Sequence, residues 1–377
     1  MSEAARYTTL HAQTSAFGAQ VAPFIERYLA TWKTYKAAWN YEDGCVWDGC
    51  LGLAAVTGLR MFSDFVYREV SARVSGDGTI RNYASDEFNI DNVKPGKVLI
   101  ALLAETGEKR FRAALDSQIS QLKWHPRTQS GNYWHKRIYP HQVWLDGLYM
   151  AQPLRCAYAV LTADEVMVAD VAQQFAHVQT QLRDPRTGLL YHGWDESRSE
   201  RWSHPETGCS TNFWGRSMGW YAMALVDCIE ALRSPAAASP PFQTTAGQLA
   251  AILVDVSAAL VRVRSANGLW YQVLDRADEP GNYEEASASL MIAYALMKGT
   301  RMGVLDASCG SLGHQALATC IERFLDEKQL NGICGVAGLG NVPYRDGSVA
   351  YYLSEPVVAN DPKGVAALFM ALSEALR

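Results

Sequence analysis

Residues 142–161 read QVWLDGLYMAQPLRCAYAVL, and residues 164–182 read DEVMVADVAQQFAHVQTQL. The second stretch carries its apolar residues at helical spacing on one face, the pattern of a helix that covers something. The first is apolar nearly all round, the pattern of a helix that is itself covered. One buried helix followed by one amphipathic helix is the unit from which the fold can be read.

The unit recurs. A buried-type set spans Trp47–Phe62, Asp91–Ala104, Gln142–Leu161, Ser217–Leu232, Ala286–Lys298 and Lys363–Leu376. An amphipathic set spans Gln20–Lys36, Glu108–Lys123, Asp164–Leu182, Gln248–Arg264 and Gly313–Lys328. Strand signals are sparse. About six helices of each kind, with Gln20–Lys36 closing the circle against the last, predict an all-α (α/α)6 barrel: a toroid of six inner and six outer helices. An open superhelix would need polar capping repeats at its ends, which the sequence lacks. No long linker divides the chain, so residues 1–377 read as a single domain, with 1–17 as a loosely ordered N-terminal arm.

Composition narrows the function classes. Hydrophobic residues make up 49% and charged residues 19%, a globular balance. The formal charge of −5 and the absence of a Lys/Arg-rich run argue against nucleic acid. The runs VLIALLA and AAILV are too short to span a bilayer, and MSEAARYTTLHAQTSAFG shows no secretory apolar core, so no membrane and a cytoplasmic location are expected. The eight cysteines (45, 50, 156, 209, 228, 309, 320, 334) are scattered and read as reduced thiols. None forms a zinc spacing, and neither metal nor cofactor is expected.

Eleven Trp and eighteen Tyr must be buried or must line a concavity. Aromatic, charged and glycine residues cluster near the start of each buried helix, as VWDGC (46–50), NIDNVKPG (89–96), VWLDGLYM (143–150), FWGRSMGWY (213–221), GNYEEASAS (281–289) and NDPKGV (360–365). In a ring of parallel inner helices these starts meet at one mouth. Capping accounts for residues such as Asn282 and Asn360, but not for Trp47, Trp144, Trp214 and Trp220. Asp146 lies inside a helix that Pro140 is expected to start, beside Gly147, which costs about 1 kcal/mol in a helix. Stability alone explains neither. His135 and His192 fall on loops at the same mouth, and Arg216 between Trp214 and Trp220 reads as an anion clamp. No GxGxxG, Walker A, GxSxG or HExxH motif is present. Carboxylates among aromatic platforms suit a sugar.

WHKRIYPHQVWLDGLYMAQP (134–153), TNFWGRSMGWYAMALVD (211–227), GNYEEASASLMIAYALMKGTRMG (281–303), GLGNVPYRDGSVAYYLSEPVVANDPKGV (338–365) and NIDNVKPGKVLIALLAETG (89–107) together resemble the unsaturated rhamnogalacturonyl hydrolases, glycoside hydrolase family 105. The resemblance runs from about Trp39 to the end of the chain; Met218 and Lys94-Pro95 depart from it. It implies an (α/α)6 barrel and removal of a 4,5-unsaturated galacturonyl residue from pectin lyase products, so that the partner is a small anionic oligosaccharide. It implies Asp146 as the catalytic acid/base and Asp91 as a second essential carboxylate. Trp47, His135, Trp144, His192, Trp214, Arg216 and Trp220 would contact or surround the sugar. A related enzyme acting on unsaturated glucuronyl disaccharides, or a noncatalytic sugar-binding toroid, remains as an alternative. The chemistry asks Asp146 to carry a proton near neutrality, which burial against Trp144 and repulsion from Asp91 would favour.

Overall fold

The structure is a computed structural model and describes residues 3–377, with side chains from residue 9. Helices dominate: α1 (Glu3–Thr14), α2 (Val21–Ala30), α3 (Tyr41–Thr57), α4 (Arg60–Ser71), α5 (Gly96–Thr106), α6 (Lys109–Trp124), α7 (Leu145–Thr162), α8 (Glu165–Leu182), α9 (Gly215–Leu232), α10 (Pro240–Arg262), α11 (Ala286–Arg301), α12 (Ala307–Phe324), α13 (Val349–Ser354) and α14 (Pro362–Ala375). Helix α3 packs on α5, α5 on α7, α7 on α9, α9 on α11, α11 on α14, and α14 returns to α3. These six form the closed inner ring. Helices α4, α6, α8, α10 and α12 each pack against the inner helix that precedes them. The toroid expected from the sequence is present.

Burial separates the rings as the patterns require. In α9, sixteen of eighteen residues are buried, whereas in α8 burial is confined to Val168, Val171, Gln174, Phe175, Val178 and Leu182. That spacing of three and four is a single stripe, and burying each large apolar side chain in it contributes about 1.5–3 kcal/mol. Helix α10 is long and apolar enough to cross a membrane by length and composition, yet it lies along α9 and α8 as part of the outer ring.

Several boundaries differ from expectation. Trp47–Phe62 is two helices: Gly58, with φ +68°, caps α3 in the left-handed conformation, and α4 starts two residues later. Residues 3–14 form a helix rather than a loose arm, because Leu10 and Thr14, one turn apart, are both buried where α1 meets α2. Pro140 does not start a helix. His141 has φ +64°, and Gln142–Trp144 is a strand, β1. It pairs antiparallel with β2 (Gly193–Asp195), Trp144 lying opposite Gly193. A second pair joins β3 (Ile333–Cys334) to β4 (Val357–Val358). Asn282 and Asn360 are not caps either. Glu285 and Asp361 cap α11 and α14, while Asn282 bonds the main chain of Val273, and Asn360, at φ +58°, accepts from the Leu330 N–H.

Candidate active site

The β1–β2 pair assembles the centre. Trp144 is both the last residue of β1 and the cap of α7, so Asp146 stands in the first turn of that helix. The Leu145 N–H donates to the His192 carbonyl at 3.0 Å, locking the α7 start against the residue before β2. The register therefore brings His192 Nε2 to 3.5 Å from Asp146 Oδ2. On the other side of the ring, the Nδ1 of His192 is 2.8 Å from the Tyr352 hydroxyl. The Asp146 Oδ2 is buried with no hydrogen-bond partner among the described residues, although the side chain as a whole is 15% exposed. The carboxyl is thus reachable but not committed.

Asp91 is in a different state. It lies in a 3-10 turn (Ile90–Val93) ahead of α5, with Lys136 Nζ 2.6 Å from Oδ2 and His135 Nε2 3.6 Å from Oδ1. Burial is the largest single influence and opposes its ionisation, but the neighbouring groups together, Lys136 foremost, outweigh it and hold the carboxyl below the usual carboxylate range. Lys136 shifts upward in return, Asp91 overcoming the burial that disfavours its charge. Asp91 is accordingly a neutralised carboxylate, not a bare charge beside Asp146.

Trp144 is the hub of the wall. His135 stacks on it with ring centroids 4.4 Å apart at 16°, Tyr139 at 4.9 Å and 20°, and His192 meets it edge-on at 5.5 Å. Glycines make this approach possible. A Cβ on Gly193 would fall 3.0 Å from the Trp144 ring and 2.7 Å from Leu339. One on Gly147 would crowd His135 Nδ1 at 3.3 Å, which explains a glycine in the first turn of a helix. Trp214 continues the wall: it packs on His192 at 4.7 Å and on Tyr352 at 6.3 Å, and its Nε1 donates to Gln272 at 3.1 Å.

Arg216 is 1% exposed, and its guanidinium donates to Ser287, to the Cys334 carbonyl and to the Gly335 carbonyl. It lies over the Trp214 ring at 4.9 Å. Nε alone lacks a partner among the described residues, so the open fork expected of an anion clamp is occupied by main chain and by Ser287. Trp220 is 2% exposed and stacks on Tyr149 at 4.8 Å, touching Tyr41 edge-on at 6.5 Å. Trp47 is not brought to this cluster. Because α3 starts at Tyr41, Trp47 sits almost two turns inside it, fully buried against Trp39 at 5.5 Å and beneath Arg73 at 5.3 Å. The departures from the family pattern are also structural: Met218 sulfur accepts the Leu190 N–H, and Lys94 pairs with Asp48 at 2.9 Å. Sequence reasoning gave Tyr139 and Tyr352 no role, and neither stands in a pattern that marks it. Lys136 stood only inside the quoted stretch 134–153, with no role given to it.

Burial pushes the His135 ring down to about 4, against the pull of Asp91. The ring is therefore neutral at pH 7. Between its ordinary value near 6.5 and about 4, the unfolded chain takes up a proton that the folded one refuses, so this contribution to stability is complete above about pH 6.5 and declines as pH falls toward 4. A proton-NMR titration of the His135 Cε1–H is expected to show no charging above about pH 5. A midpoint near 6.5 would contradict the buried, neutral ring.

Comparison with known proteins places this geometry. The sequence profile of Glycosyl Hydrolase Family 88 matches residues 21–377. A glycoside hydrolase from family 105 of C. acetobutylicum superposes with a TM-score of 0.88 at 42% identity, covering 93% of this chain and 98% of its own. The unsaturated rhamnogalacturonyl hydrolase YesR of Bacillus subtilis is 30% identical over 289 residues, which is 75% of this chain and 77% of YesR. A more distant neighbour, an unsaturated glucuronyl hydrolase from Bacillus sp. GL1, shares the fold at a TM-score of 0.61 and 15% identity, covering 97% of this chain and 96% of its own. The chain belongs to the unsaturated glycuronyl hydrolases of glycoside hydrolase families 88 and 105.

Proposed function

We propose that this enzyme removes a 4,5-unsaturated galacturonyl residue from pectin or rhamnogalacturonan lyase products by hydrating the C4–C5 double bond. The observation that carries the reading is the unequal state of the two carboxyls. Asp146 has an oxygen with no hydrogen-bond partner, while the two oxygens of Asp91 face Lys136 and His135. A two-carboxylate glycosidase needs a second carboxylate free to attack or to activate water. Here one is free, which suits chemistry that moves one proton.

An unsaturated uronate is an enol ether. Asp146 gives its proton to C4, positive charge develops at C5 and the ring oxygen, and water adds at C5 as the Asp146 carboxylate takes back a proton. The resulting hemiketal opens and the aglycone leaves with its hydroxyl. His192, held from behind by Tyr352, orients the Asp146 carboxyl. Trp144 and Trp214 hold His192 between them and so shape the site around the Asp146 carboxyl. Lys136 is 22% exposed whereas Arg216 is almost sealed, so Lys136 is the better partner for the uronate carboxylate, and Arg216 fixes Trp214. Its likeness to YesR, an unsaturated rhamnogalacturonyl hydrolase, favours galacturonyl over glucuronyl. Eight free cysteines suit a reducing compartment, which is why we read the enzyme as cytoplasmic.

The test is a panel of lyase-generated disaccharides, followed by loss of the ultraviolet absorbance of the enol ether. The unsaturated galacturonyl–rhamnose disaccharide is expected to react fastest. Faster turnover of glucuronyl–amino sugar disaccharides would move the enzyme to the other substrate branch. Cleavage of saturated disaccharides alone would overturn the hydration mechanism.

A further inference from the structure

The His192 ring has no room to turn. It is fully buried, with the Trp214 ring at 4.7 Å and the Trp144 ring at 5.5 Å. Its main chain is tied on both sides, the N–H donating to the Asn212 carbonyl at 3.4 Å and the carbonyl accepting the Leu145 N–H at 3.0 Å. Gln272 closes the clamp from behind. Its Oε1 accepts the Trp214 Nε1 at 3.1 Å, and its Nε2 donates to the Tyr352 carbonyl at 3.1 Å. The two ring nitrogens therefore keep fixed neighbours, Nδ1 at 2.8 Å from the Tyr352 hydroxyl and Nε2 at 3.5 Å from Asp146 Oδ2.

Counting protons decides which nitrogen carries the ring hydrogen. The Tyr352 hydroxyl is buried, and His192 Nδ1 is its one hydrogen-bond partner among the described residues. Burial, with the charges of Tyr351 and Asp146 nearby, pushes its ionisation far up, so it keeps its proton. If Nδ1 held the ring hydrogen, it would donate to the phenol oxygen and strand the phenol proton in the core, where an unpaired donor is costly. Nε2 would then face Asp146 with a lone pair and draw the acid proton away from the sugar. If Nε2 holds it, Tyr352 donates to Nδ1, and each proton of the chain faces an acceptor. The Nε2–H then points at Asp146 Oδ2. At 3.5 Å that contact is long for a hydrogen bond, and both atoms are buried with no other partner among the described residues.

We propose that Tyr352 is a positioning residue that fixes the proton of His192 on Nε2, where it waits as a donor for the Asp146 anion formed during the reaction. The proposal rests on the reaction assigned above. While Asp146 is protonated, its O–H is left to the sugar C4 and the His192 contact stays slack. Once that proton has moved to C4, the carboxylate gains a charge-assisted bond from Nε2–H, which shortens as the charge forms. A donor set in advance where charge develops lowers the barrier. When water adds at C5, Asp146 takes its proton from that water, so His192 itself neither loses nor gains one. His135 has no such backing: its Nδ1 has no partner among the described residues, and its Nε2 faces Asp91, already ionised, at 3.6 Å.

The test is a long-range proton–nitrogen NMR correlation on substrate-free enzyme carrying isotope-labelled histidine, with His192 assigned by its loss in His192→Gln. In wild type, Nε2 of His192 is expected in the protonated range and Nδ1 in the unprotonated range, and Tyr352→Phe should exchange or average the two. On an unsaturated disaccharide, Tyr352→Phe should lower kcat about tenfold, the worth of one neutral hydrogen bond, with KM within about twofold. A ring proton on Nδ1 in wild type, a measurement that needs no variant, would overturn the proposal. So would a Tyr352→Phe enzyme with wild-type kcat, or one whose loss lies in KM alone. A wild type that shows the Nε2 proton yet leaves the enol ether intact would instead overturn the reaction on which the proposal rests.

Discussion

Asp146→Asn is expected to lower kcat on an unsaturated disaccharide by about a thousandfold or more, with KM and Tm close to wild type. Asparagine keeps the shape of the side chain and loses the transferable proton, and positioned acid–base groups typically supply factors of about 10²–10⁴. Structural damage should be small, because Asp146 Oδ2 makes no hydrogen bond and the side chain is 15% exposed. His192, whose Nε2 lies 3.5 Å from that oxygen, stays pinned by Tyr352. Since the proton moves only as the barrier is climbed, the loss belongs in kcat and not in binding. The measurement is initial loss of enol-ether absorbance across substrate concentration, with a melting curve as the folding control. A variant retaining more than about a tenth of wild-type kcat would remove Asp146 from the proton-donor role, because a solvated substitute could not recover so much.

The two rings were legible because burial writes itself into periodicity: α9 carries apolar residues all round, and α8 carries one stripe. Helix α4 was hidden because the break before it is only Gly58 and Leu59, too short to interrupt an apolar run. The contents of the site were largely readable, since Asp146, Trp144, His135 and His192 sit in chemically dense segments. Their arrangement was not. The strand Gln142–Trp144 is too short to show alternation, and its register against Gly193–Asp195 is a pairing across about fifty residues that no local pattern encodes. Trp47 was misplaced for a related reason. A tryptophan beside an aspartate looks the same at a mouth and in a core, and only the start of α3 at Tyr41 decides between them. The neighbouring Asp48 belongs to the core as well, where its partners Lys94 and Lys97 come from the next inner helix and the turn before it.

That buried charge network sets the second large effect: Asp227→Ala is expected to destabilise the fold by about 3–5 kcal/mol. Asp227, on α9 with a side chain 1% exposed, accepts from Lys298 at 2.8 Å, from Tyr294 at 2.7 Å and from Lys97 at 2.9 Å. Lys97 continues to Asp48, and Lys298 to Glu230, so the network bridges α3, α5, α9 and α11. Removing its central anion leaves two ammonium groups in the core without their main partner, which costs more than the intact pair contributes. With an unfolding entropy of about 2 cal/mol/K per residue, Tm should fall by about 5 °C. Burial works against the Asp227 charge, but Lys298 and Lys97 prevail and hold the carboxyl far below the ordinary range. A folded-state value so depressed makes its contribution complete above about pH 4 and progressively lost below it, as the unfolded chain takes up the proton first. The gap between wild type and Asp227→Ala, measured by urea unfolding from pH 7 to pH 3, should therefore narrow at the acid end. Replacing the group together (Asp227→Leu, Lys97→Met and Lys298→Met) should recover most of the loss, because no uncompensated charge remains. If Asp227→Ala melts with wild type, the ions are solvated through the barrel's axis and the inner ring is held by apolar packing alone.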